Sequence, residues 1–173
     1  MEKLISNGMK ILGIDPGLQV CGYAVINCNG GSEKLIEAGV CRTSVKFAME
    51  KRLVQIAEDI NSLLEKHRPD YVAVEDLYSH YAHPKTAILM GHARGVILAT
   101  TCKNGIKVKS FAATKIKKSL TGNGRASKLQ IQRSIKTLLG LAKLPEPADV
   151  ADAIAVAMCC GNTIDCHGLT ASQ

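Results

Sequence analysis

Apolar residues occur along this chain in short runs whose spacing changes from strand-like to helical and back. Residues 10–15 form a compact apolar run that the turn sequence Asp15-Pro16-Gly17 ends, and a second apolar run covers residues 22–26. Asn29-Gly30-Gly31 is typical of a hairpin turn, and a third strand-like segment runs from residue 35 to 41. These segments predict three sequential antiparallel strands.

The spacing then changes to a helical repeat at residues 53–64, where apolar residues recur every three or four positions. Further elements are predicted in this order: a strand at 71–75, a helix at 84–102, a strand at 106–111, a glycine-bearing loop at 119–125, and helices at 131–139 and 148–160. The order β-β-β-α-β-α-β-α-α predicts an α/β domain with helices packed on a mixed sheet.

The composition is that of one ordinary globular domain: 173 residues, 46% hydrophobic and 21% charged. No apolar run reaches the roughly 18–20 residues that a membrane helix needs, and the N-terminal residues lack the apolar core of a secretory signal. We therefore expect a cytoplasmic protein without membrane contact. Seven cysteines without a CxxC pair indicate small buried side chains in a reducing compartment rather than a disulfide framework.

Charge is distributed unevenly along the chain, whose net charge is +7. Residues 77–145 contain no Asp or Glu but thirteen Lys and Arg. A solvated surface usually mixes both signs, so an acid-free stretch of this length indicates a polyanionic partner, most simply nucleic acid. A merely basic surface is the alternative.

Four acids lie among apolar or small residues rather than on a solvated helix: Asp15, Glu75, Asp149 and Asp152. Asp15 and Glu75 each end a predicted strand, and they emerge at one edge of the sheet if those strands are neighbours. Asp149 and Asp152 are three positions apart, so they share a face near the start of the last helix. Each acid also has a plain alternative reading, as a turn cap, a lysine partner or a helix-start acid.

Converging carboxylates repel one another, and divalent cations relieve that repulsion. Ligands that are all oxygen suit Mg²⁺ or Mn²⁺ rather than zinc. Two such ions, ~3.5–4 Å apart, stabilise both the attacking and the leaving oxygen of a phosphoryl displacement. Together with the basic stretch, the four acids predict a metal-dependent nuclease.

Four sequence blocks, in this order, resemble the RuvC family of Holliday-junction resolvases: ILGIDPGLQVCGYAVI, VAVEDLY, GHARGVILA and ADVADAIAVAMC. The resemblance covers roughly residues 10–160. It implies an RNase H-like fold with a five-stranded mixed sheet, a homodimer, and metal-dependent cleavage of four-way DNA junctions. Residues 1–9 are then an N-terminal extension, and residues 161–173 are a polar C-terminal tail.

The resemblance also assigns roles to individual residues. The family's four metal-binding acids fall on Asp15, Glu75, Asp149 and Asp152. Two family lysines that contact DNA fall on Lys117 and Lys128, and Arg125 lies between them as a further expected phosphate contact. Where the family often has a phenylalanine three residues after the second acid, this chain has Tyr78, which can still stack on a base.

The implied mechanism uses two Mg²⁺ ions, with Mn²⁺ as a substitute and Asp15 bridging both. A metal-activated water cuts the strand and leaves 5′-phosphate and 3′-hydroxyl ends. A two-fold dimer makes paired symmetric nicks, and the helix at 84–102, with Gly91 and Gly95, is the candidate dimer contact. The RuvA–RuvB branch-migration proteins are the implied partners in recombination and repair.

Three alternatives stay open. The first is an RNase H-like nuclease that acts on another branched DNA or on RNA. The second is a DNA-binding module without catalysis. The third is half of a sugar-kinase-type ATPase, because such proteins carry strands similar to GIDPG, although that fold needs two halves.

Overall fold

The computed structural model describes residues 8–77 and 84–170, with the side chains of all of these except Pro84 and residues 165–170. Its five strands are β1 (Met9–Asp15), β2 (Val20–Asn29), β3 (Ser32–Arg42), β4 (Tyr71–Glu75) and β5 (Lys107–Phe111). They form one sheet in the spatial order β3-β2-β1-β4-β5. The pairs β1–β2 and β2–β3 are antiparallel, whereas β1–β4 and β4–β5 are parallel. The predicted five-stranded mixed sheet is confirmed.

Five helices belong to the described part of the chain: α1 (Met49–His67), α2 (Pro84–Lys103), α3 (Ala113–Thr121), α4 (Lys128–Leu138) and α5 (Ala148–Thr170). The sequence pattern did not predict α3, because this helix has nine residues and buries only Ile116 and Leu120, one turn apart. Helix α5 continues past the predicted end at residue 160.

Helices cover both faces of the sheet. Helices α3, α4 and α5 pack on one face, and α1 and α2 pack on the other. In β1 the side chains alternate between these layers: Ile11 belongs to the core under α5, whereas Leu12 and Ile14 belong to the core under α1. All three are fully buried. A strand covered on both faces has an uninterrupted apolar sequence, which explains the run that precedes Asp15.

The β2–β3 hairpin turns through Gly30 and Gly31, whose φ angles of 57° and 83° are left-handed. A two-residue turn of this kind requires positive φ, and the residue pair is therefore a sequence signal for the hairpin. Beyond the turn, a bulge shifts the register of β3 between Val25 and Ile26 of β2.

The apolar residues of the described chain build its two cores. Four cysteines, Cys21, Cys28, Cys159 and Cys160, are buried there, as expected for small apolar side chains. No described helix combines the length and the apolar character that crossing a bilayer requires.

Candidate active site

Asp15 and Glu75 end neighbouring parallel strands. Ile14 of β1 lies opposite Val74 of β4, and the next residue on each strand is the acid. Both carboxylates therefore leave the sheet at the same edge. The sequence interpretation required β1 and β4 to be neighbours in the sheet, and this is confirmed.

Helix α5 carries the other two acids to this edge, and two glycines allow it to lie close to the sheet. A Cβ on Gly13 would lie 2.2 Å from the carbonyl oxygen of Ala153, and a Cβ on Gly22 would lie 2.0 Å from the carbonyl oxygen of Asp149. No side chain fits at either position without moving the helix. Gly22 is also the strand partner of Asp15, so the close contact at Gly22 sets the first turn of α5 beside the first acid.

A pocket of about 340 Å³ opens at this edge, and all four predicted acids line it. Asp76, Lys117 and Lys128 contribute further charged groups to its wall. The apolar part of the wall includes Leu77, Met90, Ile116, Ile131 and Ala155. The pocket thus brings together residues from two strands and from all helices except α1.

Burial and mutual repulsion change the pKa of two of these carboxyl groups. Removal from water, followed by the negative charges of Asp152, Glu75 and Asp149, raises the pKa of Asp15 to about 8. The pKa of Glu75 is also raised, first by removal from water and then by Asp152, with two nearby lysines acting in the opposite direction. These acids resist ionisation because they are removed from water and lie among like charges, and a bound cation would offset both effects.

Lys128 is the first residue of α4, and its Nζ lies 3.4 Å from Oδ2 of Asp152. A capping box fixes this helix start: the Ser127 side chain accepts a hydrogen bond from the Gln130 N–H, and the Gln130 side chain accepts one from the Ser127 N–H. The Lys128 side chain is 76% exposed, so its ammonium group is accessible to a phosphate. Lys117, on α3, lines the same pocket.

Of the other two predicted DNA contacts, Arg125 is the one in the described part of the chain, and it does not line the pocket. Arg125 is exposed in the loop between α3 and α4, where its backbone N–H donates to the side-chain oxygen of Asn123 at 2.9 Å. Tyr78 lies outside the described residues. Both assignments stay predictions.

The donor set fits a hard divalent cation. It consists of carboxylate oxygens from Asp15, Glu75, Asp149 and Asp152, and the most strongly perturbed of them, Asp15, is held where water is scarce. Within residues 8–77 and 84–170, no three His, Cys, Asp or Glu side chains are placed closely enough to hold a metal ion as they stand.

The sequence interpretation missed two residues beside this pocket, Asp76 and Arg94. Asp76 directly follows Glu75 and lines the pocket, and Nη2 of Arg94 donates to its Oδ1 at 2.9 Å. Two consecutive acids at the end of a buried strand were visible in VAVED. Their pairing with an arginine from a helix was not visible, because the two segments are far apart in the chain.

Comparison with known proteins identifies the family. The family model described as "Crossover junction endodeoxyribonuclease RuvC" matches residues 11–160. A relative with the same description from Rhodopirellula baltica is 48% identical over 149 residues, which are 86% of this chain and 84% of the relative. Another, from Caldicellulosiruptor saccharolyticus, is 44% identical over 152 residues, which are 87% of this chain and 91% of the relative.

A solved structure leads to the same family. The structure described as Thermus thermophilus RuvC in complex with Holliday junction substrate matches with a TM-score of 0.87 and 28% identity, over 92% of this chain and 96% of that chain. This match confirms the predicted RNase H-like α/β fold. The chain therefore belongs to the RuvC family of crossover junction endodeoxyribonucleases.

Proposed function

We propose that this protein is a crossover junction endodeoxyribonuclease that resolves four-way DNA junctions in recombination and repair. The observation that carries the proposal is the pocket in which carboxylates from β1, β4 and α5 lie beside Lys117 and Lys128. Carboxylates bind cations and lysines bind phosphate, so one pocket has the groups to bind both the metal ions and the phosphate that phosphodiester hydrolysis requires. The family of the chain and the junction-bound Thermus thermophilus relative support this substrate.

Nucleases of the RuvC family depend on a metal, and we propose two Mg²⁺ ions here, with Mn²⁺ as a substitute. The four acids that line the pocket would hold them. Asp15 would hold the ions together with the other three acids, among whose negative charges it lies. When bound, such ions supply a water nucleophile near neutral pH and stabilise the departing oxygen.

The protein's own residues hold the DNA strand against this site. Lys117 and Lys128 would bind oxygens of the scissile phosphate or its neighbours, and Arg125 and Tyr78 would contact the strand beyond the pocket. The apolar side chains of Ile116 and Ile131 limit water on one side of the pocket. Breaking the bond between phosphorus and the 3′ oxygen leaves a 5′-phosphate and a 3′-hydroxyl.

A homodimer would present two pockets to two opposed strands of the junction and so make paired nicks. We propose α2 as its contact helix. Ile88 is 59% exposed and Leu89 is 37% exposed, and a Cβ on Gly95 would meet nothing within 4 Å. The helix thus offers apolar and small residues to a second copy. The RuvA–RuvB proteins would be the partners of this dimer, and the dimer would act on four-way DNA junctions in the cytoplasm.

The proposal is tested by incubating the purified protein with four-way, flap, duplex and RNA–DNA hybrid substrates, with and without Mg²⁺. We expect symmetric paired nicks in the four-way junction, only with metal, and little cleavage of the others. Equal cleavage of the flap or hybrid would favour the alternative, an RNase H-like nuclease with another substrate. Junction binding without cleavage in either Mg²⁺ or Mn²⁺ would show a binding module instead.

A further inference from the structure

Arg94 lies on α2, yet its side chain reaches the end of β4 and contacts three groups there. Its Nε donates to the carbonyl oxygen of Glu75 at 3.2 Å. Its Nη2 donates to Oδ1 of Asp76 at 2.9 Å and to Oγ of Ser110, on β5, at 2.8 Å. The side chain is 19% exposed. One guanidinium group therefore joins a helix, two strands and the chain that follows Glu75.

These contacts act at the point where a candidate metal ligand leaves the sheet. Glu75 is the last residue of β4, and the N–H of Asp76, which follows it, donates to the Phe111 carbonyl of β5 at 2.9 Å. Arg94 binds the Glu75 backbone rather than its carboxylate. Its effect on that carboxylate is therefore one of position: it holds the backbone from which the side chain enters the pocket.

Arg94 also pairs with a fifth carboxylate. Asp76 lines the same pocket as the four predicted ligands, and its negative charge is among the causes that raise the pKa of Glu75. The guanidinium compensates this charge and holds one of the two carboxylate oxygens. An unpaired Asp76 would be free to compete with Glu75 for a cation.

We propose that Arg94 is a positioning residue for the divalent-cation site: it fixes the end of β4 so that Glu75 faces the pocket, and it keeps Asp76 out of the ligand set. The inference rests on the proposed function in that it takes the pocket as the cation site. Arginine is suited to this role because its planar fork serves three acceptors in fixed directions, which the single ammonium group of lysine does not.

The test compares wild type with Arg94→Gln, which removes the charge, and Arg94→Lys, which keeps the charge but not the fork. Lys51→Gln, an exposed lysine on α1, is the control for loss of one positive charge. Two measurements are made without cleavage: the rise in melting temperature over a series of Mg²⁺ and Mn²⁺ concentrations, and junction affinity in EDTA. A third is the single-turnover cleavage rate over the same Mg²⁺ series.

We expect Arg94→Gln to fold, to bind the junction within about twofold of wild type, and to need about tenfold more Mg²⁺ for half of its effect on melting and on cleavage, because groups that hold metal ligands typically contribute 10–100-fold to metal affinity. Arg94→Lys should recover part of that loss, and Lys51→Gln should match wild type. Unchanged Mg²⁺ dependence in Arg94→Gln would overturn the inference. An equal loss of junction affinity in EDTA would also overturn it, since Arg94 would then be a DNA contact.

Two milder variants keep the inference testable if Arg94→Gln does not fold. Ser110→Ala removes one of the three acceptors, and we expect it to raise the required Mg²⁺ by about threefold, a fraction of the full effect. Asp76→Asn keeps the other two contacts of Arg94, and the Mg²⁺ concentration that it requires should stay within about threefold of the wild-type value. A loss in Asp76→Asn as large as in Glu75→Gln would make Asp76 a metal ligand and contradict the proposed role.

The inference and the proposed function fail in different ways. If the wild type does not cleave four-way junctions, the proposed function is wrong, but the melting series still reports whether Arg94 affects cation binding. If the wild type cleaves junctions and the Arg94 variants bind Mg²⁺ as tightly as wild type, only the inference is wrong.

Discussion

Two carboxylates on the same sheet have opposite surroundings. Glu37, on β3, accepts a hydrogen bond from the Tyr23 hydroxyl at 3.0 Å, and Nζ of Lys66 lies 2.6 Å from its Oε2. The hydrogen bond from Lys66 is the main reason why the pKa of Glu37 is lowered. Asp15, on β1, lies among three other acids, and its pKa is raised to about 8.

The difference separates a carboxylate that serves the fold from one that serves a ligand. The Glu37 cluster contains its own positive partner, Lys66, and Nε2 of His67 lies 3.2 Å from the same carboxylate oxygen, so both residues join β3 to the end of α1. The Asp15 cluster contains more acids than bases: Lys128 forms an ion pair with Asp152, and Lys117 and Lys128 only partly offset the negative charge around Glu75. A protein gains nothing in stability from such an excess, so a bound cation is the physical reason to keep it.

The largest expected effect is on cleavage. Asp15→Asn should lower the rate of junction cleavage in Mg²⁺ by about 1000-fold or more, because loss of one group that stabilises a charged transition state costs 10²–10³-fold and Asp15 would also hold both cations. Junction binding in EDTA should remain. Rates are measured on a synthetic four-way junction, with Glu37→Gln as the matched carboxylate control. Wild-type cleavage by Asp15→Asn would remove Asp15 from the metal site.

The same substitution should stabilise the metal-free protein. Because the folded pKa of Asp15, about 8, is above its ordinary value of 3.8, the folded state binds more protons than the unfolded state between these values. Stability in EDTA therefore falls as the pH rises from about 4 to about 8. The shift alone corresponds to at most roughly 6 kcal/mol at 1.36 kcal/mol per pKa unit, and relaxation of the neighbouring acids reduces it, so we expect about 2 kcal/mol.

Urea unfolding in EDTA measures this difference. Asp15→Asn should be more stable than wild type at pH 8, and the difference should shrink to its minimum as the pH falls below about 4, where Asp15 becomes protonated in both states. Mg²⁺ at pH 8 should raise the stability of the wild type more than that of the variant. A less stable variant at pH 8 would mean that Asp15 already has a favourable partner within the chain.

Lysines of the two clusters should also differ in how much they contribute to junction binding. Lys117→Ala should weaken junction binding by about tenfold and reduce the slope of log affinity against log salt by about 1, as expected for one lost phosphate contact. Lys66→Ala removes the lysine that pairs with Glu37 and should change neither. Fluorescence anisotropy in EDTA at several salt concentrations gives both quantities. An unchanged slope in Lys117→Ala would exclude it from the phosphate contacts.

The smallest expected effect is on the stability of the protein and comes from the Glu37 cluster. Glu37→Gln should destabilise the protein by about 1 kcal/mol at pH 7, because its ion pair with Lys66 is largely exposed and such pairs contribute little. A carboxyl whose folded pKa is lowered stabilises the fold above its unfolded pKa and loses that contribution as the pH falls. Urea unfolding should therefore show a difference at pH 7 that disappears at acid pH. A constant difference would point to lost packing instead.

Local patterns were sufficient to predict most of the sheet and to single out the four acids that the fold brings to one pocket. The strand β1 is buried on both faces, so its apolar run and the turn at Asp15-Pro16-Gly17 both appear in the sequence. Helix α3 was missed because nine residues with two buried apolar positions carry little periodic signal. The capping box of Ser127 and Gln130 was present in the sequence as S-x-x-Q and defines where α4 begins.

Local sequence patterns did not predict the role of Gly22. In the sequence it is one small residue of an apolar strand. In the fold it lies beside Asp15 and under the carbonyl of Asp149, where a Cβ would be 2.0 Å from that oxygen. The reason for glycine at this position is a contact between residues far apart in the chain, and composition or spacing cannot reveal it.

The residue types and their order were enough to predict the strands, the acids and the nuclease chemistry, because hydrophobic burial and turn formation depend on near neighbours in the chain. Only the packing of the helices on the sheet decided three contacts between distant segments. These are the contact of Asp149 with Gly22, the ion pair of Lys128 with Asp152, and the hydrogen bonds of Arg94 to Glu75 and Asp76. Each depends on distances between segments, and those are set by how the whole chain buries its two cores.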